Sequence, residues 1–305
     1  GPQAPYKYDS ANRLTEATYA AGVTEKFTYD LLGTRTGYEK DGVVTTSTFN
    51  GYNQITQSVS PAGYTSFVWD DNGNLVWKSG PDGLTTFGWD FENRLRAVTT
   101  PSGTSVHSYR PDGMRVMSDA GNGQKSYFLL DNVSVLGEYD ASGALARSNN
   151  FTDRIDEIIS TKTAAGDKLF YHADALESVY RVTDGWGNVV ITQGYRAFGE
   201  PSVSRARTEA RYSWMGRETS MDDIWYFRHR HYQPFIGWLS SDPSPMSSFD
   251  RYRFVGNNPV NWLDPLGLFY SEGMGIPIVW PLLTHGKGHK FITTELARQR
   301  GVRET

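Results

Sequence analysis

The chain has 305 residues, with 30 Lys and Arg against 34 Asp and Glu, for a formal net charge of −4. Such a balance argues against a general binder of nucleic acid or of a membrane surface, both of which favour a basic excess. There is no cysteine, which excludes disulfides and thiolate metal sites. The longest apolar run, Ile276 to Leu283, carries two prolines and is too short to span a membrane. Residues 1–5 lack the charged-then-apolar shape of a signal peptide. Aromatic residues make up 14% of the chain and glycines number 31, a mixture that favours many short strands joined by tight turns.

In chain order, the first feature is a repeat of about twenty residues. An aromatic followed by a polar residue recurs at Tyr8-Asp9, Tyr29-Asp30, Phe49-Asn50, Trp69-Asp70, Trp89-Asp90 and Tyr109-Arg110. Four residues after each aromatic stands Asn12, Gly33, Asn53, Gly73, Asn93 or Gly113. A second beat falls at Gly22, Gly42, Gly63, Gly83, Gly103 and Gly123. Asn and Gly tolerate positive φ, so each repeat has two reversals with strand-length segments between them. The reading is an all-β stack of antiparallel hairpins whose aromatics form a buried ladder on one face.

From Ser126 to Asn150 the rhythm loosens, although residues 138–143 keep the repeat's form. Residues 153–162 (DRIDEIISTK) are charged and β-branched and fit either a strand or a short helix. Strand-turn-strand patterns return at residues 169–174, 179–184 and 187–191. In the tail, Phe291 to Arg300 reads as a short amphipathic helix. His285 and His289 stand four apart beside Lys287 and Lys290, which favours a basic loop over a metal pair. No cofactor and no metal site are expected.

The repeats resemble the YD repeats of Rhs proteins, Tc-toxin C components and teneurins. A more specific likeness runs from Tyr171 to Leu268. It takes in residues 171–179, Tyr195-Arg-Ala-Phe-Gly199, Trp214-Met-Gly-Arg-Glu218, residues 225–234, Gly237-Trp-Leu-Ser-Ser-Asp-Pro243, residues 252–261 and Asp264-Pro-Leu-Gly-Leu268. These are similar, in order and spacing, to the Rhs core. Three departures stand out. Glu177 replaces a usual Gly, Gln233 replaces a common Asp, and residues 234–240 are one residue short and lack the usual Arg after Gly.

The resemblance implies a spiral of antiparallel β-hairpins closed by an Rhs core plug. Residues 1–170 would form the shell segment, 171–268 the core module, and 269–305 a short tail that opens the toxin region. The protein would be a toxin carrier that cuts its own chain once, between Leu268 and Phe269, and holds the released toxin inside. Asp242 and Asp264 match the family's catalytic aspartates and Arg230 its supporting arginine, with Arg228 as a near competitor. Aspartyl proteolysis needs two carboxyl groups of opposite protonation. Asp-Pro pairs also start turns and cap backbone N–H groups, the plainer reading of both aspartates.

The implied partners are its own C-terminal toxin segment, remaining shell repeats or a B-type shell component, a secretion or delivery spike, and an immunity protein. No nucleic acid is expected for the shell. The implied location is that of a secreted or delivered effector made in the cytoplasm. Two other readings remain: a non-cleaving adhesion or scaffold shell, and a glycan-binding β-solenoid.

Overall fold

The computed structural model describes residues 6–19, 22–121, 123–206, 211–220, 223–244, 250–268 and 271–272. Phe269, His285, His289 and the tail segment 291–300 lie outside these residues.

Twenty strands, from Tyr6–Tyr8 (β1) to Pro201–Ala206 (β20), make one antiparallel sheet in which each strand pairs with its neighbours in sequence. The protein is therefore all-β, as the repeat predicts, with no α-helix among the described residues. The sheet continues across residue 170, where the sequence reading divides shell from core. Lys168–Ala173 (β17) and the three strands after it belong to the same sheet. Residues 153–162 become a turn followed by the strand Ile158–Thr163 (β16).

Five of the six repeats are held by the same local chemistry, in which the polar residue after the aromatic accepts the turn's own N–H groups; in the sixth, Arg110 cannot accept and Asp112 Oδ1 takes the amide of Met114 at 3.1 Å. Asp30 Oδ1 takes the amides of Leu32 at 2.9 Å and Thr34 at 2.8 Å, and Asp90 Oδ1 those of Glu92 at 3.0 Å and Arg94 at 2.9 Å. The chain can close this turn because the fourth residue is left-handed, with φ of 60° at Asn53 and 83° at Gly73. The register then slips by one residue, so that Trp69 pairs with Leu75 and Trp89 with Leu95.

The aromatics bind successive hairpins together through their polar tips. Trp69 Nε1 donates to the carbonyl of Ile55 at 2.7 Å, Trp89 Nε1 to Leu75 at 2.7 Å, and Tyr109 Oη to Leu95 at 2.6 Å. Tyr29 Oη donates to Leu14 at 2.5 Å. All four ties reach back fourteen or fifteen residues, from one hairpin to the one before. The ring supplies burial and the tip satisfies a carbonyl that the register slip frees from the ladder.

The sheet curls until its ends meet. The turn at residues 196–200 packs against Leu14–Thr18 (β2), Thr24–Tyr29 (β3) and Arg35–Lys40 (β4). The amide of Ala197 donates to Tyr19 Oη at 2.7 Å, Lys40 pairs with Glu200 at 2.9 Å, and Phe198 meets Phe27 at 4.8 Å between ring centroids.

The described residues among 211–268 form a compact plug against one rim of this curl. Its own sheet has four short strands, among them Ile224–Phe227 (β22) and Arg230–Gln233 (β23). Trp214, Trp225, Phe227, Tyr232, Trp238 and Phe254 pack into one aromatic core that also takes in Leu14, Ala17 and Phe27 of the shell. Backbone bonds stitch plug to rim. The amide of Leu75 donates to Leu239 O at 2.9 Å, and that of Ser241 to Gly73 O at 3.1 Å.

Two outcomes follow. Trp89→Phe keeps an aromatic ring, though a smaller one, and removes the donor to the carbonyl of Leu75, so unfolding should become easier by about 1–3 kcal/mol, read from denaturant midpoints. Glu177 occupies a left-handed position at φ 61°, which accounts for the usual Gly there. Burial, with Glu157 and Asp156 adding repulsion, pushes its carboxyl up to about 7. A raised carboxyl binds protons more tightly folded than unfolded, so stability from Glu177 falls as pH rises from about 4.5 to about 7. Glu177→Gly should relieve about 1 kcal/mol of backbone strain and flatten that decline, as melting temperatures across this pH range will show.

Candidate functional site

Three side chains, separated in sequence, meet inside the plug. Arg230 opens β23. Asp242 follows the segment stitched to the rim at Gly73 and Leu75. Asp264 follows the short strand Trp262–Leu263 (β25). All three are buried, with Arg230 3%, Asp242 6% and Asp264 2% exposed.

Arg230 is the hub. Its Nη2 lies 3.1 Å from Asp242 Oδ2 and 3.4 Å from Asp264 Oδ2, so both carboxylates converge on one nitrogen. Its Nη1 donates to Arg251 O at 3.1 Å, and its guanidinium carbon stands 3.9 Å from the centroid of the Trp238 ring. The stacking fixes a planar cation at low entropic cost. The one-residue shortening at residues 234–240 therefore leaves Arg230 within ion-pair reach of Asp242. Arg228, the competing arginine, pairs instead with Asp156.

The two carboxyl groups differ in setting. Asp264 Oδ1 accepts the amides of Gly267 at 2.8 Å and Leu268 at 3.1 Å, folding the Asp264–Leu268 segment into a tight loop. Asp242 Oδ1 accepts the amide of Ser244 at 2.8 Å. Burial holds the Asp242 carboxyl above its usual value, although Arg230 pulls it down. The same burial lowers the pKa of Arg230, and both aspartates oppose that shift.

A feature absent from the sequence reading is how the loop is gripped. Three consecutive residues of the β22–β23 hairpin take three consecutive carbonyls. Arg228 Nη1 donates to Pro265 O, the amide of His229 to Leu266 O at 3.1 Å, and Arg230 Nε to Gly267 O. The next carbonyl belongs to Leu268, the residue on the near side of the expected cut. Phe269, on its far side, lies outside the described residues. Backbone groups carry no sequence signal, so only the Asp-Pro-Leu-Gly-Leu pattern hints at this grip. Among the described residues, no cluster of three His, Asp or Glu is placed to hold a metal ion. No described helix is long and apolar enough to cross a membrane.

The fold and this site define a shell of stacked β-hairpins with a plug on its rim that grips the Asp264–Leu268 loop. Comparison with known proteins gives the family. A tRNA3(Ser)-specific nuclease, WapA, of Bacillus spizizenii is 31% identical over 278 residues, 85% of this chain. The toxin subunit YenC1 of Yersinia entomophaga is 34% identical over 112 residues, 34% of this chain. The crystal structure of TcdB2-TccC3 superposes with a TM-score of 0.50 at 17% identity, covering 87% of this chain and 18% of that one, and shares the fold. No protein-family model matches. The chain belongs to the Rhs/YD-repeat proteins. It spans 12% of the length of each of these two curated relatives.

Gly267 sits at φ 73°, and a Cβ there would come within 2.6 Å of Phe227 O and 3.1 Å of the Arg230 amide nitrogen. Gly267→Ala should therefore cost about 1–3 kcal/mol and loosen the loop. The expected result is a lower melting temperature and faster hydrogen exchange at the Leu268 amide.

Proposed function

We propose that this chain is the C-terminal part of an Rhs-type toxin carrier, which encloses a C-terminal toxin and frees it inside the shell by cutting its own backbone after Leu268. One observation carries the reading: Asp242 and Asp264 converge on Arg230 beside the carbonyl of Gly267, one residue short of the bond to be cut.

The chemistry consumes one water. Asp264, poised by Arg230 and two amides, takes a proton from the water, and the water's oxygen adds to the carbonyl carbon of Leu268. Asp242, whose burial favours the protonated form, gives its proton to the carbonyl oxygen. Collapse of the tetrahedral species breaks the carbon–nitrogen bond and returns a proton to Asp242. Asp264 passes its own proton to the departing nitrogen of Phe269. The products are a carboxyl end at Leu268 and an amine at Phe269. The substrate is tethered and gripped through three carbonyls, so the reaction gains from proximity and runs once per chain.

In this reading the partners are the toxin segment, further shell repeats or a B-type component, a delivery spike and an immunity protein. The protein acts as a secreted or delivered effector. Intact mass of the freshly purified chain should give two co-purifying pieces with a junction after Leu268. Asp242→Asn and Asp264→Asn should each slow the cut by at least about 100-fold and leave one full-length mass. A parent chain that stays whole would leave a non-cleaving scaffold in its place.

A further inference from the structure

The grip on the scissile loop is tied to the shell through one carboxylate. Asp156 lies in the turn between Leu145–Phe151 (β15) and β16, is only 6% exposed, and takes a left-handed φ of 72°. Its Oδ1 accepts Arg228 Nη2 at 2.5 Å, and its Oδ2 accepts Arg228 Nη1 at 3.3 Å. The same Oδ2 also accepts Arg217 Nη2. This bidentate fork fixes the guanidinium plane as well as its place. A second shell group, the carbonyl of Val133, accepts Arg228 Nε at 3.2 Å. Held from two shell turns, Arg228 extends its Nη1 to Pro265 O, the first of the three gripped carbonyls.

The arginine is itself strained. Arg228 has φ 62° at the first position of the β22–β23 turn, a backbone state that a large side chain adopts only when its surroundings hold it there. The shell turn is pressed against the plug on its other side too. A Cβ on Gly216 would stand 2.8 Å from Asp156 O. The shell's β15–β16 turn thus meets the plug in one relative position, and that position aims Arg228.

We propose that Asp156 is a positioning residue for self-cleavage, which makes the cut conditional on the shell hairpin β15–β16 having docked against the plug. This rests on the self-cleavage reading above. Without the docked turn, Arg228 loses its bidentate partner and keeps only the Val133 carbonyl, which belongs to another shell turn and does not fix the guanidinium plane. The Pro265 carbonyl then loses its donor, and Leu268 is no longer held in register with the two aspartates. Displacement of a reacting group by about 1 Å costs up to about 100-fold in rate. The cut is therefore slow until this shell hairpin has docked.

The test follows cleavage of the full chain by intact mass after cell-free synthesis, with melting temperature and limited proteolysis run in parallel. Asp156→Asn should slow the appearance of the Leu268 end by about 10-fold or more while the shell stays protease-resistant, and Asp156→Glu should recover part of the rate. Arg228→Lys keeps the charge opposite Asp156 but loses the fork. It should be equally slow, and it serves if Asp156→Asn does not fold. Glu218→Gln is the stability control. It weakens the same seam through Arg115 and Arg211, its ion-pair partners, and leaves the Asp156–Arg228 hydrogen bonds in place, so it should cut at the parent rate even where its melting temperature falls. The proposal is overturned if Asp156→Asn and Arg228→Lys cut as fast as the parent, or if Glu218→Gln slows the cut in step with them. An uncut parent chain overturns the self-cleavage reading and this one together, whereas a cutting parent with unaffected variants overturns this one alone.

Discussion

An indole N–H or phenol O–H from one hairpin closes on a backbone carbonyl of the hairpin before it, and the register of the shell follows from that bond. The carbonyl is available because the turn beside it slips the pairing by one residue. The slip exists because Asn or Gly takes a left-handed conformation there while the preceding Asp or Asn ties down two amides. Turn, slip and tie therefore come as one unit, and a change to any of them leaves a buried polar group without a partner. The curl that brings Ala197 and Phe198 against Tyr19 and Phe27 repeats this unit along the sheet, and it creates the rim on which the plug sits.

The plug binds that rim by two kinds of contact. Its aromatic core interlocks with Leu14, Ala17 and Phe27, and burial of this kind supplies most of the attraction. Around it run buried ions, with Arg115, Arg211 and Glu218 at one place and Asp156, Arg217 and Arg228 at another. Buried ion pairs contribute little net attraction once desolvation is counted, yet they penalise any misplaced arrangement heavily. Burial, with Arg228 adding repulsion, pulls Arg217 down to about 10 even beside Asp156. The apolar core holds the plug on the shell, and the ions fix where it sits.

The repeat was open to reading because it is periodic. A residue type at a fixed spacing of twenty reports a backbone need, as Asn53 and Gly73 do, and the all-β fold follows. Residues 153–162 were not readable. Asp156 is left-handed without being Asn or Gly, and the strand begins only at Ile158, so neither helical nor alternating periodicity covers the stretch. Asp242, Asp264 and Arg230 were reached through a resemblance, and the spacing of two Asp-Pro pairs allows simple capping equally well. Asp264 does cap Gly267 and Leu268 while also facing Arg230, so the two readings describe one side chain. The Asp156–Arg228 tie lay out of reach, since it joins residues 72 apart and rests on two backbone carbonyls that no residue type announces.

The tie from each aromatic tip to its predecessor has a fixed reach, and this quantises the wall. Adding a complete hairpin ahead of β1 would leave every downstream bond in phase, because each tie looks back only one step. Gaining or losing a single residue inside a strand would turn the ring to the opposite face and break the bonds on both sides of it. The wall can thus lengthen in whole courses, like brickwork, and its height changes in steps of one course.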